Sequence, residues 1–261
     1  MSLYVETTGS GPPVLLLHGA AGSSRTYGWL ELEGRTTVRM DFRGHGASSR
    51  TPGRYLIQDY VDDALSVLSE PAFVVGHSLG GVAAWMAAQQ RPELVTELFL
   101  EDPPLFMGEP AAHAANPAIP AFAQMRADAQ RWQSAGATPE QVAAELAAQT
   151  LPDGTTMGAF QTDEAVTARG YALTQLDLEV IDRILDGTLL AGTDTASPVT
   201  VPTFILAADD AMGAAFPTAH EARLRASHPD VEVVRLPGAS HTIHDQRSTR
   251  DAYERALTSR A

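Results

Sequence analysis

The sequence predicts an α/β fold in which a mostly parallel central sheet is flanked by helices and interrupted by a helical insertion. Three observations carry the prediction. Short apolar runs alternate with longer helix-like segments through the first hundred residues, the pattern of parallel strands joined by crossover helices. Most of these runs are apolar at successive positions rather than alternate ones, as strands covered on both faces must be. Strand signals then stop at Pro103-Pro104 and return only at Thr203.

The elements follow in order. Residues 3–6 read as an edge strand, turned by Gly9-Ser10-Gly11-Pro12-Pro13. Residues 14–17, 36–40, 73–76 and 98–101 are the strands of the first half. Between them, residues 55–69 carry Leu56, Tyr60, Val61, Ala64, Leu65 and Leu68 close to a helical period, and residues 79–90 form a small-residue helix closed by Pro92. The next segment is rich in Ala, Gln and Glu, with helix-like stretches at 118–134, 139–150, 163–173 and 176–186. Strands return at 203–207 and 231–236, separated by a helix at 218–228 and followed by one at 249–257. The expected organisation is one α/β core, residues 1–102 and 198–261, carrying a helical cap at 103–197. Two independent domains would strand the final β-runs away from the sheet they complete.

Composition narrows the function. The chain has 18 basic and 32 acidic residues, a formal net charge of -14, which repels phosphate backbones and anionic lipid. No nucleic-acid partner and no membrane role are expected. The same charge disfavours a highly anionic substrate, unless fields local to a cleft override the global sum. With no cysteine, disulfides and thiolate metal sites are excluded, and no spacing of His and Asp suggests a metal. No apolar run approaches the ~20 residues of a spanning helix, and Met1-Ser2-Leu3-Tyr4 lacks the marks of a signal peptide. The expectation is a cytoplasmic protein.

Reactive chemistry points first to Phe73-Val74-Val75-Gly76-His77-Ser78-Leu79-Gly80-Gly81. Here Gly-x-Ser-x-Gly follows a buried strand and precedes a helix, the context that turns a common pentapeptide into a nucleophile elbow. Such a turn holds its serine in a strained conformation, and Gly76 and Gly80 supply the clearance. Ser78 then sits at a helix N-terminus, where the Leu79 N–H can stabilise a developing oxyanion.

Three further motifs occur in order: His18-Gly19-Ala20 after the strand at 14–17, Asp41-Phe42-Arg43-Gly44-His45-Gly46-Ala47-Ser48 after the strand at 36–40, and Gly238-Ala239-Ser240-His241 after the last strand. Over nearly its whole length the chain thereby resembles the α/β-hydrolase superfamily, in the branch with a helical cap after the sixth core strand. The resemblance implies that Ala20 gives the second oxyanion N–H, that His18 braces its loop, that Asp41 and Arg43 tie theirs, and that His241 is the general base. An imidazole can accept and return the serine proton near neutrality. His244, three residues on, competes from a position past the loop; His113, His220 and His228 read as cap or surface-helix residues.

The acid is expected after residues 203–207, where Ala208-Asp209-Asp210-Ala211 departs from the family's Gly-x-x-Asp. Asp209 follows the strand most directly and is the preferred acid. Asp210, and Asp102 at the end of the preceding strand, are the alternatives.

The resemblance implies an enzyme, a serine hydrolase with a Ser78–His241–Asp209 triad, an oxyanion hole at Ala20 and Leu79, and no cofactor. The expected substrate is a small acyl compound, a carboxylic ester or lactone. A thioesterase, a C–C bond hydrolase, or a non-hydrolytic sensor or isomerase on the same fold are the alternatives. Cap residues Phe106, Met107, Phe122, Met125, Trp132, Met157, Phe160 and Tyr171 are candidates for the pocket wall.

Overall fold

Runs of Leu, Val, Phe and Ile without alternation can only be strands if helices cover both faces of the sheet, and the computed structural model, which describes all 261 residues, has that arrangement. In chain order the elements are β1 (Val5–Gly9), β2 (Pro13–Leu17), β3 (Thr36–Met40), α1 (Ile57–Val67), β4 (Ala72–His77), α2 (Leu79–Gln90) and β5 (Val95–Glu101). Six helices follow: α3 (Pro110–Ala114), α4 (Ile119–Ser134), α5 (Pro139–Ala148), α6 (Met157–Phe160), α7 (Asp163–Gln175) and α8 (Leu178–Leu185). The chain closes with β6 (Thr203–Ala207), α9 (Thr218–Ser227), β7 (Glu232–Arg235) and α10 (Arg250–Thr258).

The seven strands form one sheet in the order β1-β3-β2-β4-β5-β6-β7. Only β1 runs antiparallel, against β3; the other pairings are parallel. The edge strand lies at Val5–Gly9, later than the run at 3–6 suggested, and its exposed face explains the weak apolar signal there. The helical insertion follows the fifth strand of this seven-stranded sheet.

Order reverses at β2, which has β3 on one side and β4 on the other, and ligands in open α/β sheets bind beyond the carboxyl ends of strands at such a point. The ends of β2, β4 and β5 bring His18, Ser78 and Asp102 to this region. Beneath it, α2 is buried on nearly every side, which its Gly and Ala content permits, and Trp85 is fully enclosed. Trp85 also donates its indole N–H to the Asp194 carbonyl at 2.9 Å, joining core to insertion. Truncating such a residue to alanine costs about 3–5 kcal/mol.

The cap helices carry their own start signals. Thr138 and Gln141 exchange side-chain-to-backbone bonds at the start of α5, and Thr162 and Asp177 accept from backbone N–H groups at the starts of α7 and α8. No helix is long and apolar enough to cross a membrane.

Candidate active site

Strand β4 ends at His77 and α2 begins at Leu79, so one residue makes the whole turn. Ser78 does so with φ 52° and ψ -117°, a region that L-residues avoid. The flanking glycines make the turn possible: a Cβ on Gly76 would run into the Gly80 carbonyl, and one on Gly80 into the Leu17 carbonyl.

His241 lies on the loop after β7, with its Nε2 3.0 Å from Ser78 Oγ. Its Nδ1 is 2.7 Å from Asp102 Oδ2. A carboxylate only accepts, so Nδ1 carries the proton and Nε2 is left to accept from the serine hydroxyl. Asp102 is fully buried and takes three further bonds from backbone N–H groups, those of Ala208, Ala215 and Phe216, at 3.2, 2.7 and 3.1 Å. Its backbone is left-handed, with φ 42°, a conformation that non-glycine residues rarely adopt.

This corrects the expectation for Asp209, which does not reach His241. Asp209 Oδ1 accepts from Ala211 N at 2.9 Å and Oδ2 from Gly238 N at 2.7 Å, so both oxygens are used in shaping turns. Asp210 pairs with Arg235 at 3.0 Å. The strand that supplies the carboxylate is therefore β5 rather than β6, because β6 runs straight into a short turn that consumes its aspartates as caps.

The other sequence-derived residues fall as follows. Ala20 and Leu79 both line the cavity above Ser78, and neither backbone N–H donates to a protein acceptor. Buried His18 donates from Nδ1 to the Gly19 carbonyl and accepts from Phe42 N at Nε2, holding the loop after β2 to that after β3. Asp41 accepts from Ser24 N and Ala47 N, and Arg43 binds Asp63 and Asp59. No cluster of three or more His, Cys, Asp or Glu side chains could hold a metal ion.

His244 is occupied elsewhere. Its ring is fully buried, with Nδ1 2.6 Å from Glu101 Oε2, and its backbone N–H bonds Glu101 Oε1 at 3.1 Å. Burial opposes its protonation, but Asp245 and Glu101 outweigh that and raise its pKa. Adjacent Glu101 and Asp102 thus hold His244 and His241 on one loop. His77 also braces this loop, donating to the His241 carbonyl at 3.1 Å, and burial followed by His241 and His244 holds its pKa well below the usual imidazole value.

Ser78 and His241 open into a cavity of about 320 Å³ with mostly apolar walls. Met107 and Phe122, of the eight candidates, line it; Trp132 is instead buried in the insertion, its indole bonded to Glu145 at 2.8 Å. Pro104, Ile184, Leu189 and Leu190 complete the apolar wall, and Arg183 also lines it. No motif marks these residues, although the high amphipathicity of Leu178-Glu179-Val180-Ile181-Asp182-Arg183-Ile184-Leu185 shows that α8 has a face to bury.

The chain belongs to the alpha/beta hydrolase family, whose model matches residues 14–256. It is 29% identical over 261 aligned residues to 2-(acetamidomethylene)succinate hydrolase of Mesorhizobium japonicum, covering 94% of this chain and 87% of the relative. Family and relatives make it a hydrolase. Among solved structures it is similar in fold to an N-formylmaleamic acid deformylase from Pseudomonas putida S16, at TM-score 0.71 and 21% identity over 97% of this chain and 95% of that one. It is likewise similar to an N-acyl homoserine lactone degrading enzyme, at TM-score 0.69 and 18% identity over 99% and 96% of the two chains.

Proposed function

We propose that the protein is a serine hydrolase of small carboxylic esters or lactones, with Ser78 as nucleophile, His241 as base and Asp102 as the acid that orients it. The observation that carries the reading is the continuous hydrogen-bonded line from Asp102 through His241 to Ser78. It ends under an apolar cavity into which Ala20 and Leu79 bring free N–H groups.

His241 Nε2 takes the hydroxyl proton as Ser78 Oγ attacks the acyl carbon, and Asp102 stabilises the imidazolium that forms. The two N–H groups hold the tetrahedral oxyanion. As it collapses, His241 returns the proton to the leaving oxygen, and the alcohol departs. Water, deprotonated by the same imidazole, then releases the carboxylic acid and restores Ser78. The insertion at 103–197 acts as a substrate-selecting cap over the core of residues 1–102 and 198–261, since Met107, Phe122 and Ile184 wall the cavity.

Amide hydrolysis is the second reading, favoured by the full-length relative whose name includes an acetamide. It needs the same steps, with the proton delivered to nitrogen.

Turnover of p-nitrophenyl acetate tests the reading. Ser78→Ala should fold normally and lose nearly all turnover, and a fluorophosphonate should label the wild type at Ser78 by peptide mapping. Ordinary rates in folded Ser78→Ala would overturn it, as would stoichiometric small-molecule binding without turnover of any ester, lactone, thioester or amide.

A further inference from the structure

Two consecutive carboxylates stand at the end of β5, and each holds a histidine of the same loop. Asp102 takes His241; Glu101, fully buried, takes the backbone N–H of His244 at 3.1 Å and its ring Nδ1 at 2.6 Å. Only the first pair belongs to the proposed triad. The other ring nitrogen of His244, Nε2, lies 3.3 Å from Asp245 Oδ1, and both of these atoms are buried without another partner. A carboxylate accepts and does not donate. A neutral imidazole has one N–H, so either tautomer would set a ring lone pair against a carboxylate, whereas an imidazolium answers both.

No other cation takes its place. Arg250, at the start of α10, donates to the His244 carbonyl and the Thr162 hydroxyl, and Arg169 of α7 is drawn to Asp245, but neither arginine bonds Glu101 or Asp245. His77 of β4 lies 5.0 Å away, ring to ring, and burial holds it neutral. Tyr27 and Tyr253 lie at 5.3 and 5.6 Å, and burial raises both phenols well above their usual range, so neither carries charge. For His244 itself burial opposes the second proton; Asp245 and Glu101 outweigh it and raise the pKa, with Arg250 acting against them.

We infer that His244 is a buried imidazolium and a positioning residue of the active site: clamped between Glu101 and Asp245, it fixes the loop that carries His241 at the distances Ser78 and Asp102 require. This rests on the reading of His241 as the base. The loop is short and bonded to itself. Asp245 N and Gln246 N return to the Thr242 carbonyl, and the Gln246 side chain accepts from Ser240 N and donates to the Gly238 carbonyl. A shift at His244 is therefore carried to His241, three residues away. The imidazolium also cancels the charge of Glu101, the chain neighbour of Asp102, and leaves Asp102 to answer His241.

Nitrogen-15 spectra of labelled histidine report ring charge directly, because imidazolium and neutral ring nitrogens resonate apart. At pH 7 the His244 ring, assigned by its loss in His244→Gln, should have both nitrogens protonated. In Asp245→Asn the second proton should leave about one pH unit or more lower than in wild type, since a carboxylate at this distance favours the charged ring. On p-nitrophenyl acetate, Asp245→Asn and Glu101→Gln should each lower kcat about 10- to 100-fold with KM changed by less than about twofold, as a base misplaced by about 1 Å does. The alkaline limb of kcat should move with the titration of His244. Asp245 stands at the edge of the cluster, so its variant serves if Glu101→Gln does not fold. A neutral His244 ring at pH 7, or an alkaline limb in the same place in wild type and Asp245→Asn, would overturn the inference. If wild type cleaves no ester, the reading of His241 as base fails while the spectra still report the charge of His244; if esters are cleaved and kcat is unchanged in both variants, the positioning role fails alone.

Discussion

Asp102 and Asp209 differ in what reaches them. Asp102 is sealed at the end of β5 and takes the His241 proton donor together with three backbone N–H groups, whereas Asp209 spends its oxygens on Ala211 and Gly238. Local sequence does not separate the two, because each follows an apolar strand and the strands are neighbours in the sheet. What decides is the left-handed backbone at Asp102, where no glycine announces it. The turn at Ser78 is legible for the opposite reason: Gly76 and Gly80 are required by the crowding around it, and their spacing survives in the sequence. Asp102→Asn should leave a folded protein whose ester turnover falls about 10⁴-fold, as loss of the orienting acid does in a well-studied serine protease. Asp209→Asn, assayed beside it at the same pH, should keep turnover close to wild type. Equal damage in both, or damage confined to Asp209→Asn, would remove Asp102 from the proposed triad.

At the level of elements, the long helices were readable from their period and caps. Helix α4 was expected at 118–134 and spans Ile119–Ser134; α7 was expected at 163–173 and runs to Gln175. Short α3 and α6 were not, since one turn of helix has no period to detect. The cavity wall escaped for a related reason: it is assembled from chain segments distant in sequence, such as Pro104, Phe122 and Ile184. Phe122 is only partly buried, so it contributes more to the shape of the cavity than to the core. Phe122→Ala should therefore shift preference toward longer acyl chains, by about tenfold or more in the ratio of hexanoate to acetate kcat/KM, as methylene-scale contacts do. The melting temperature should change little. An unchanged acyl ranking across a p-nitrophenyl ester series would make this face of the cap structural only.

Over the whole molecule, the histidines set how stability depends on pH. His18, His45 and His77 are buried with lowered pKa values, each first by desolvation, and His45 is brought down to about 3, with His18 adding to the effect. Geometry agrees for His45: Nδ1 donates to the Arg43 carbonyl at 2.9 Å and Nε2 faces Ala21 N at 3.4 Å, so a second proton would set two donors against each other. Unfolded, these rings bind a proton near pH 6.5; folded, His45 does not until about pH 3. Between those values the unfolded state holds more protons, so stability rises with pH, by about 1.4 kcal/mol per pH unit for each such ring. Above pH 6.5 this contribution is complete and flat. His244 acts in the other direction: its pKa is raised, so its stabilisation is full below pH 6.5 and is lost as pH climbs through the folded value. Unfolding free energy from urea titrations should therefore fall steeply from pH 6.5 toward pH 4 and decline more gently on the alkaline side. His45→Gln removes one titrating ring, so whatever it costs at pH 7, the slope of its acid limb should be shallower by about 1.4 kcal/mol per pH unit. Parallel acid limbs for His45→Gln and wild type would show that His45 is protonated alike in both states, and the buried neutral imidazole assigned to it would be wrong.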